Sequence, residues 1–455
     1  MEKTIAAIST APAPGGIGIV RISGGEAFAV AEKVFRGVSG KELSQMKGYT
    51  AQLGGAYTPG GEKLDDVVAL VYRGPKSYTG EDVVELSCHG GLYMTKRLLQ
   101  LVLDAGAAPA GPGEFTRRAF LNGKMDLAQA EAVMGLISAS GEQARKAALA
   151  GSTGVLSRKI ESIKQRLLEQ AAHLAAWADF PEEDVPQVEE AALLEGIRQG
   201  EKALEELLQG FDRGRMYREG LVTVIAGRPN AGKSTLMNLL SGCQRSIVTQ
   251  YAGTTRDVVE ETVMVAGVPL RLADTAGIRD TDDPVESIGV QAARQRLETA
   301  QLVLAVFDSS QALEKEDWEL MDALEKVPAI AIVNKSDLPT QMDVEAIQRR
   351  FEKTVSLSAA TGEGLAALEQ ALSEILDTKD FHPQEGVLFT QRQRMDAQTA
   401  LDSLREGEQA LALGLTLDAV TVCVEDALHA LAALTGEQVS EEIVDRVFEE
   451  FCVGK

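Results

Sequence analysis

The segment with the clearest chemical meaning is a glycine-rich loop that joins an apolar run to a helix-like stretch. Residues 227–234 read Gly-Arg-Pro-Asn-Ala-Gly-Lys-Ser and fit the G-x-x-x-x-G-K-S/T spacing of a phosphate-binding loop. The two glycines allow consecutive backbone amides to point at one centre, where the following helix would place the positive end of its dipole. Lys233 would supply a charge for the β- and γ-phosphates, and Ser234 would offer its hydroxyl to magnesium. The loop therefore predicts a nucleotide-phosphate site.

Three later motifs predict that the nucleotide carries guanine. Residues 274–277 (Asp-Thr-Ala-Gly) provide a carboxylate that would hold magnesium through water and a glycine amide that would meet the γ-phosphate. Residues 334–337 (Asn-Lys-Ser-Asp) end in Asp337, which can accept two hydrogen bonds from guanine N1 and N2, a donor pair that adenine lacks. Residues 358–360 (Ser-Ala-Ala) can offer a backbone amide to guanine O6. In this order along the chain, the motifs predict a GTPase.

These motifs need strands that end at one edge of a sheet. Short apolar runs rich in β-branched residues stand near them and predict buried parallel strands. The predicted strands cover residues 221–226, 270–273, 302–307, 329–333 and 354–357. We therefore expect an α/β P-loop GTPase domain over residues 219–378.

The residue that follows the 274–277 motif indicates which GTPases the domain resembles. Ras-like GTPases place a water-orienting glutamine there, whereas this chain has Ile278, so the catalytic group must come from elsewhere. With its phosphate loop, the Gly-Thr-Thr-Arg-Asp segment at 253–257 and Asp-Thr-Ala-Gly-Ile-Arg at 274–279, the domain resembles the TrmE–Era–EngA–septin branch. Within that branch the chain resembles the MnmE (TrmE) family of tRNA-modification GTPases.

The resemblance implies a catalytic arrangement that does not use an arginine finger. Asn230 and a loop through Thr249, Tyr251 and Thr254 would bind potassium. Thr255 would complete a magnesium shell with Ser234, and Glu286 would orient the attacking water through a bridging water. From the residues alone, Glu286 is one more carboxylate in the acidic run 280–286. The predicted GTP contacts are Asn230, Ala231, Gly232, Lys233, Ser234, Thr235, Thr249, Gly253, Thr254, Thr255, Asp274, Thr275, Ala276, Gly277, Asn334, Lys335, Asp337, Ser358, Ala359 and Ala360.

Residues 1–120 alternate strand-like and helix-like runs and predict a compact α+β domain. We expect strands at 17–22, 66–72 and 82–87 and helices at 26–35 and 92–105. The adjacent Cys88 and His89 are interpreted as structural, because neighbouring strand residues point to opposite faces and no third group is evident to orient the histidine.

Three polar stretches in this region, at 18–24, 77–82 and 113–127, allow two interpretations. Ordinary turn chemistry explains them, with Arg117 and Arg118 as a solvated pair. The MnmE resemblance implies instead a tetrahydrofolate-binding fold of the aminomethyltransferase kind. Its reduced-folate pocket, for 5,10-methylene- or 5-formyl-tetrahydrofolate, would be lined by Arg21, Glu81, Lys124 and Lys455.

The chain ends in residues 451–455, Phe-Cys-Val-Gly-Lys. A frayed tail with an incidental thiol is one interpretation. The ending also resembles the Cys-x-Gly-Lys terminus of MnmE, which implies that the tail reaches the folate pocket and places Cys452 near the reaction site. Whether Cys452 acts as a nucleophile stays open, since no nearby base in the sequence would lower its pKa.

Residues 121–218 and 379–455 have helical apolar spacing, and Asp126 is the expected N-cap of the first helix. Because an isolated C-terminal helical tail would bury little, we expect it to pair with the earlier helices, which makes the GTPase domain an insertion in one bundle. The expected fold is multidomain: an N-terminal α+β folate-binding-like domain, an α-helical bundle and an inserted α/β P-loop GTPase domain.

The bulk composition limits the remaining possibilities. At 455 residues, with 45% hydrophobic and 25% charged residues, the chain is expected to be a soluble protein of several domains. Four scattered cysteines and the lack of a signal or membrane-length apolar run predict a cytoplasmic protein with no membrane association. The net charge of −23 counts against simple nucleic-acid binding through a basic surface.

The MnmE resemblance implies modification of C5 of the tRNA wobble uridine with an aminomethyl or carboxymethylaminomethyl group. The reaction would use a one-carbon unit from tetrahydrofolate, GTP, magnesium and potassium, and a homodimer would work with the flavoprotein MnmG in a heterotetramer-like complex. Two alternatives remain at this level: a regulatory or ribosome-assembly GTPase, and a folate-dependent aminomethyltransferase with a regulatory GTPase domain.

Overall fold

The structure, a computed structural model, describes residues 3–179, 190–243, 261–272, 300–376 and 382–455. The chain divides into two compact units. The first unit comprises Met1–Met134, Ile160–Arg198 and Thr399–Lys455, and the second comprises Gly135–Lys159 and Gln199–Gln398. In these described ranges, no helix has the length and apolar character needed to cross a membrane.

The N-terminal part of the first unit is a seven-stranded sheet with the order β3-β4-β5-β6-β2-β1-β7. All neighbouring strands are antiparallel except β1 and β7. The strands are β1 Ile5–Ile8, β2 Ile17–Ser23, β3 Phe35–Gly37, β4 Thr50–Tyr57, β5 Lys63–Tyr72, β6 Val83–His89 and β7 Ala108–Pro109. The helices are α1 Ala27–Val34, α2 Leu92–Asp104 and α3 Glu114–Leu121. The predicted strands and helices are present, and β1, β3, β4 and β7 are additional.

Strand β4 was missed because its glycines look like turn residues in the sequence. A Cβ on Gly54 would lie 2.3 Å from the Arg36 carbonyl oxygen and 2.5 Å from Cζ of Phe35. The glycine therefore lets the ring of Phe35, which is buried, cross the neighbouring strand. This close approach is visible only once β3 and β4 are paired.

The two faces of the N-terminal sheet have different roles. Alternation along β2 places Val20 and Ile22 in a core with α1 and α2, while Arg21 and Ser23 point to the opposite face. On that opposite face a second apolar cluster includes Phe115 of α3. The polar side chains of β2 thus lie beside α3 instead of in the main core.

Helices follow the N-terminal sheet: α4 Leu127–Ile137, α5 Glu142–Ser152, α6 Val155–Asp179 and α7 Glu190–Glu219. Asp126 caps α4, as predicted. Its Oδ1 accepts from the Gln129 amide at 2.8 Å, and Gln129 Oε1 accepts from the Asp126 amide at 2.9 Å. This reciprocal capping satisfies two donors at the helix start.

A six-stranded sheet with the order β13-β12-β11-β8-β10-β9 forms the centre of the second unit. All pairs are parallel except the β9–β10 hairpin. Its strands are β8 Leu221–Ala226, β9 Glu261–Val265, β10 Val268–Leu272, β11 Leu302–Asp308, β12 Ala329–Asn334 and β13 Lys353–Ser356. Its helices are α8 Lys233–Cys243, α9 Lys315–Ala323, α10 Val344–Gln348 and α11 Leu365–Ile375. All five predicted strands are present, which confirms the α/β P-loop fold.

The C-terminal helices are α12 Gln391–Ala412, α13 Leu417–Thr435 and α14 Glu441–Glu449. Within the first unit they contact the earlier helices through ion pairs. Lys164 Nζ lies 2.6 Å from Glu437, and Arg198 Nε lies 2.7 Å from Glu408. These contacts join a segment that precedes the strands of the α/β sheet in sequence to a segment that follows them.

An aromatic cluster fixes α14 in the first unit. Phe448 is 1% exposed, its ring lies 5.0 Å from Phe451 and 6.3 Å from Phe120, and it shares a core with Leu127. Phe448→Ala should lower the free energy of unfolding by about 3–5 kcal/mol, since it removes buried surface and leaves a cavity. Urea unfolding followed by far-UV circular dichroism measures this.

The matched control is Ile443→Ala in the same helix, because Ile443 is 42% exposed. It should cost less than about 1 kcal/mol. Equal costs for the two variants would show that the aromatic cluster does not anchor α14.

Candidate functional site

The phosphate loop joins β8 to α8 in the second unit. Lys233 bends back over the loop, and its Nζ donates to the carbonyl oxygens of Gly227 at 2.9 Å and Arg228 at 2.7 Å. Asn230 has a left-handed φ of 62° and an exposed side chain. The ammonium is therefore held across a curled backbone at the start of a helix, where a phosphate would meet both charge and dipole.

Position 232 requires glycine because the side chain of Asn334 packs against its backbone. Its φ is +97°, and a Cβ would lie 2.1 Å from Nδ2 of Asn334. Any side chain here would displace Asn334, so the loop needs glycine for contact as well as for backbone conformation.

Asn334 links three of the predicted motifs. The residue is 2% exposed at the end of β12, and its Nδ2 donates to the Ala231 carbonyl at 2.8 Å. Its Oδ1 accepts from the Ala359 amide at 3.0 Å. One buried amide thus ties the phosphate loop to both segments that the sequence predicts to bind guanine.

The two segments predicted to recognise guanine are arranged around Asn334. Asp337 is exposed and lies within a turn. The hydrogen bond from the Leu338 amide to the Lys335 carbonyl, at 2.9 Å, closes this turn. The amide of buried Ser358 donates to the Glu363 carbonyl at 2.9 Å. The Ala359 amide donates to Asn334 and is therefore not available to a ligand. The Ala360 amide donates to no acceptor among the described residues.

The second residue of the phosphate loop is anchored by acidic side chains. Arg228 Nε lies 2.9 Å from Oδ2 of Asp317, which is 2% exposed, and Nη1 lies 2.6 Å from Glu314. Asp317 and Glu314 also form the capping box at the start of α9. The same two carboxylates therefore stabilise both the loop and the helix.

Several predicted residues lie outside the part of the chain that the structure describes. They are Thr249, Tyr251, Gly253, Thr254, Thr255, Asp274, Thr275, Ala276, Gly277, Ile278 and Glu286. Of the predicted magnesium and potassium contacts, the described residues are Ser234 and Asn230, and both have exposed side chains.

A second polar cluster lies in the first unit beside α3. The Arg21 guanidinium binds Glu85 at 2.8 Å and lies 5.8 Å from the Tyr78 ring and 5.5 Å from the Phe115 ring. Glu85 also accepts from the Tyr72 hydroxyl at 3.3 Å. Burial, helped by Glu85, raises the pKa of Tyr72 above its ordinary value.

The C-terminal tail docks against this cluster. Backbone amides of Gly113 and Phe115 donate to the carbonyls of Cys452 at 3.3 Å and Lys455 at 3.2 Å. The Gly454 carbonyl accepts from Ser9 Oγ at 3.2 Å and from Arg21 at 3.4 Å. A frayed tail is therefore the wrong interpretation.

The tail brings Lys455 to Arg21 and Glu85. Burial lowers the pKa of the Lys455 ammonium below its ordinary value and the Arg21 charge lowers it further, whereas Glu85 opposes the shift. The side chains here present two cations and one carboxylate in a half-buried position. Cys452, at the base of the tail, is a free and partly exposed cysteine.

Glu81, in the loop between β5 and β6, and Lys124, in the turn after α3, make separate contacts. Both oxygens of Glu81 lie 3.1 Å from Nη1 of Arg118, and Glu81 also accepts from Ser23 at 2.7 Å. Lys124 is exposed, and its Nζ donates to the Pro75 carbonyl at 2.9 Å. Glu81 therefore belongs to an internal ion pair, and Lys124 lies beside the turn that holds it.

Two interpretations of the N-terminal residues need correction. Arg118 is not solvated: it is 4% exposed, and it binds Glu114 and the Lys3 carbonyl in addition to Glu81. The expectation that His89 has no orienting group is also wrong, since Asp65 lies 2.7 Å from its Nδ1.

Cys88 nevertheless has the structural role expected for it. It is 4% exposed, while the side chain of His89 on the opposite face of β6 is 72% exposed. Burial raises the pKa of the Cys88 thiol, which disfavours the nucleophilic thiolate.

The sequence interpretation missed Glu85, Arg118 and Arg228 as members of these two clusters. Glu85 could have been found by pairing the predicted strands, because the antiparallel register sets Arg21 directly opposite Glu85. For Arg228 the signal was its place inside the phosphate loop.

The parallel sheet, the glycine loop after β8 and the lysine held across it define a P-loop nucleotide-binding protein with an α+β domain and a helical part. Two family models match the chain: the GTP-binding protein TrmE N-terminus over residues 4–124, and the MnmE helical domain over residues 127–452.

Curated relatives match along the entire chain. The tRNA modification GTPase MnmE of Alkaliphilus oremlandii is 43% identical over 459 residues, and that of Symbiobacterium thermophilum is 45% identical over 457 residues. Each match covers 100% of both proteins. Among solved structures, Aquifex aeolicus Era bound to GDP.AlF4- is 26% identical with a TM-score of 0.28, covering 42% of this chain and 67% of that one. By its family models and full-length relatives, the chain belongs to the MnmE family, which confirms the resemblance.

Removal of the Asn334 side chain tests the link between the motifs. Asn334→Ala leaves the Ala231 carbonyl and the Ala359 amide without their buried partner, and should cost about 2–4 kcal/mol of unfolding free energy. The chain has two tryptophans, so the fluorescence of Trp318 in a Trp177→Phe background reports urea unfolding of the second unit.

Ser336→Ala, at an exposed neighbouring position, is the matched control and should change stability by less than about 0.5 kcal/mol. If Asn334→Ala changes stability no more than this control, Asn334 does not hold the three motifs together.

Proposed function

We propose that this chain hydrolyses GTP and takes part in tRNA modification. With a flavoprotein partner, MnmG, it would add an aminomethyl or carboxymethylaminomethyl group to C5 of the wobble uridine, using a one-carbon unit from tetrahydrofolate. Full-length similarity to proteins named tRNA modification GTPase MnmE supports the general function. The nucleotide motifs around Asn334 support the GTP-hydrolysis part of this proposal, and the polar cluster around Arg21 supports the folate part.

The arrangement of Lys233 and Asn334 supports GTP binding most directly. Lys233 lies across the phosphate loop, and Asn334 joins that loop to the segments that contain Asp337 and Ala359. A phosphate site and a guanine site are thus fixed to each other by a buried contact. Guanine offers Asp337 two donors, so adenine would leave this carboxylate partly unpaired.

Metal ions would complete the phosphate site. The exposed hydroxyl of Ser234 stands at the first turn of α8, beside Lys233, and suits a hard cation such as magnesium. Asn230, exposed at a left-handed position of the loop, has a side-chain amide oxygen that suits potassium. We propose Thr255 as the second magnesium ligand, and Thr249, Tyr251 and Thr254 as the other potassium contacts.

The catalytic water needs an orienting group, because Ile278 has no polar atom. We propose Glu286 for this role, through a bridging water, with Lys233 stabilising the charge that develops on the phosphates.

The cluster around Arg21 fits a reduced folate. Arg21 and Lys455 are cations that suit the glutamate carboxylates of the cofactor, and the half-buried ring of Tyr78, 5.8 Å from the Arg21 guanidinium, offers an apolar contact beside them. We propose Glu81 and Lys124 as further contacts, with Glu81 held by Arg118. We propose that Cys452, in the docked tail, lies at this site, where its role would depend on the bound one-carbon unit.

We propose one role for each of the domains predicted from the sequence. Residues 1–120 would bind folate and form a homodimer, 219–378 would hydrolyse GTP, and 121–218 with 379–455 would form the helical domain. In so acidic a chain, tRNA contact would be local or supplied by the partner.

GTP hydrolysis in potassium and sodium buffers of equal ionic strength tests the GTPase proposal. We expect at least about tenfold faster hydrolysis in potassium, since a site-bound cation would act where no arginine finger is available. Asn230→Ala and Glu286→Ala should each remove most of this activity. Equal rates in the two salts would contradict the potassium and Glu286 assignments.

Two glycine variants test whether the phosphate loop is the nucleotide-binding site. Gly232→Ala should abolish binding of a fluorescent GDP analogue, because the new methyl group would collide with Asn334. Gly242→Ala, in α8, is the matched control, since its added Cβ meets no atom within 4 Å. Unchanged binding by Gly232→Ala would count against the phosphate loop as the nucleotide site.

Calorimetric titration with 5-formyl-tetrahydrofolate tests the second site. Arg21→Met and Lys455→Ala should each weaken binding by about tenfold to a hundredfold, the cost of losing a charged hydrogen-bonding group. Arg36→Met is the control, because Arg36 stacks on Tyr57 at 4.7 Å, outside the cluster. Equal affinity in all four proteins would remove the folate assignment.

A further inference from the structure

Residues 308–310, Asp-Ser-Ser at the end of β11, contact residues 334–337, the segment proposed to bind guanine. None of these residues belongs to a nucleotide-binding motif in the sequence. Asp308 is 5% exposed and Ser309 is 1% exposed. Two polar side chains this deeply buried need partners, and they find them in the segment 334–337.

Ser309 fixes the backbone of that segment at two points. Its amide donates to the Asn334 carbonyl at 3.0 Å, and its hydroxyl donates to the Lys335 carbonyl at 3.0 Å. The Lys335 carbonyl also accepts from the Leu338 amide, which closes the turn that presents Asp337. Ser309 therefore supports the same carbonyl group that holds the turn.

Lys335 has a backbone conformation that needs such support. Its φ is +61°, in the left-handed region that side chains with a Cβ rarely adopt. A strained residue of this kind persists only where the surrounding contacts determine it. Ser309 supplies such contacts on both sides of the Lys335 φ and ψ angles.

Asp308 fixes the other end of Lys335. Its Oδ2 lies 2.6 Å from Lys335 Nζ, and its Oδ1 accepts from the Ser310 hydroxyl at 2.6 Å and the Ser310 amide at 3.0 Å. Burial raises the pKa of Asp308, but the hydrogen bonds from Lys335 and Ser310 outweigh burial and hold that pKa below its ordinary value. The carboxylate is therefore ionised at neutral pH and forms a true ion pair.

We propose that Asp308 and Ser309 are positioning residues for guanine-nucleotide binding, and that they act through Lys335. Ser309 holds the backbone of Lys335 and Asp308 holds its ammonium, so that the side chain and the adjoining turn with Asp337 are preorganised before the nucleotide arrives. This inference rests on the proposed GTP site. It assigns the segment after β11 to recognition of the base side of the nucleotide.

Base-side positioning has a kinetic signature that distinguishes it from a phosphate-loop defect. GDP and GTP share the guanine base and differ in the γ-phosphate. Loss of preorganisation at Lys335 should therefore speed dissociation of both nucleotides by the same factor, whereas a defect at the phosphates would change their ratio.

The test measures dissociation of mant-GDP and mant-GTP from the full-length chain by stopped-flow fluorescence. Asp308→Asn keeps the shape of the side chain and removes the charge. We expect about tenfold faster dissociation for both nucleotides, equivalent to about 1.4 kcal/mol. Glu374→Gln is the matched control, because it removes an ion pair of the same 2.6 Å length, to Lys353 on β13. This control should leave both rates unchanged.

A double-mutant cycle tests whether Asp308 acts through Lys335. In a Lys335→Met background the ion pair is already lost, so Asp308→Asn should add less than twofold. A purely structural role would give the same additional effect in both backgrounds. That result, or an Asp308→Asn rate within twofold of the unmodified chain, would overturn the proposal.

Ser309→Ala provides a second and milder variant if Asp308→Asn does not fold. It removes only the hydroxyl donated to the Lys335 carbonyl and should speed release of both nucleotides about threefold. An unchanged rate would overturn the role of Ser309. Failure of the unmodified chain to bind either nucleotide would instead overturn the proposed GTP function, so the two failures are distinguishable.

Discussion

The arrangement of the proposed nucleotide site depends on the hydrogen bonds of the buried side-chain amide of Asn334. It donates to Ala231 and accepts from Ala359, so it joins the loops that follow β8, β12 and β13 at the carboxyl ends of parallel strands in one sheet. Both partners are main-chain groups removed from water, and an unpaired group there would be costly. The demand for a small residue at position 232 follows from the same contact, since the amide occupies the space of a Cβ. The proposed phosphate-binding loop and the proposed base-binding segments are thereby held in one geometry.

The first unit depends on a comparable closure between distant segments. Its C-terminal tail adds a bridge between Val453 and Pro112, and a Cβ on Gly454 would lie 2.2 Å from the Ile8 carbonyl. The tail therefore fits only where a glycine permits close backbone approach. Because the tail brings Lys455 to Arg21, the composition of the second site is set by the docking of segments more than 400 residues apart.

Several of the cations in this acidic chain are held in ion pairs and do not form a basic surface. Several arginines and lysines lie in buried or half-buried ion pairs: Arg21 with Glu85, Arg118 with Glu81, Lys164 with Glu437 and Arg228 with Asp317. A buried cation that lost its carboxylate would be strongly destabilising, so these charges are committed to structure. They contribute little to a basic surface of the kind that attracts nucleic acid.

The sequence by itself determined the elements whose information is local. The phosphate loop, the five apolar strands of the α/β sheet and the cap at Asp126 could be predicted because residue spacing and backbone geometry act over a few positions. The tertiary structure alone decided the β4 glycines, the pairing of Arg21 with Glu85, the burial of Arg118 and the contact of Asp308 with Lys335. Each of these depends on strand register or on the approach of distant segments. A one-residue change of register would reverse which face a side chain occupies, and no short stretch of sequence records that choice.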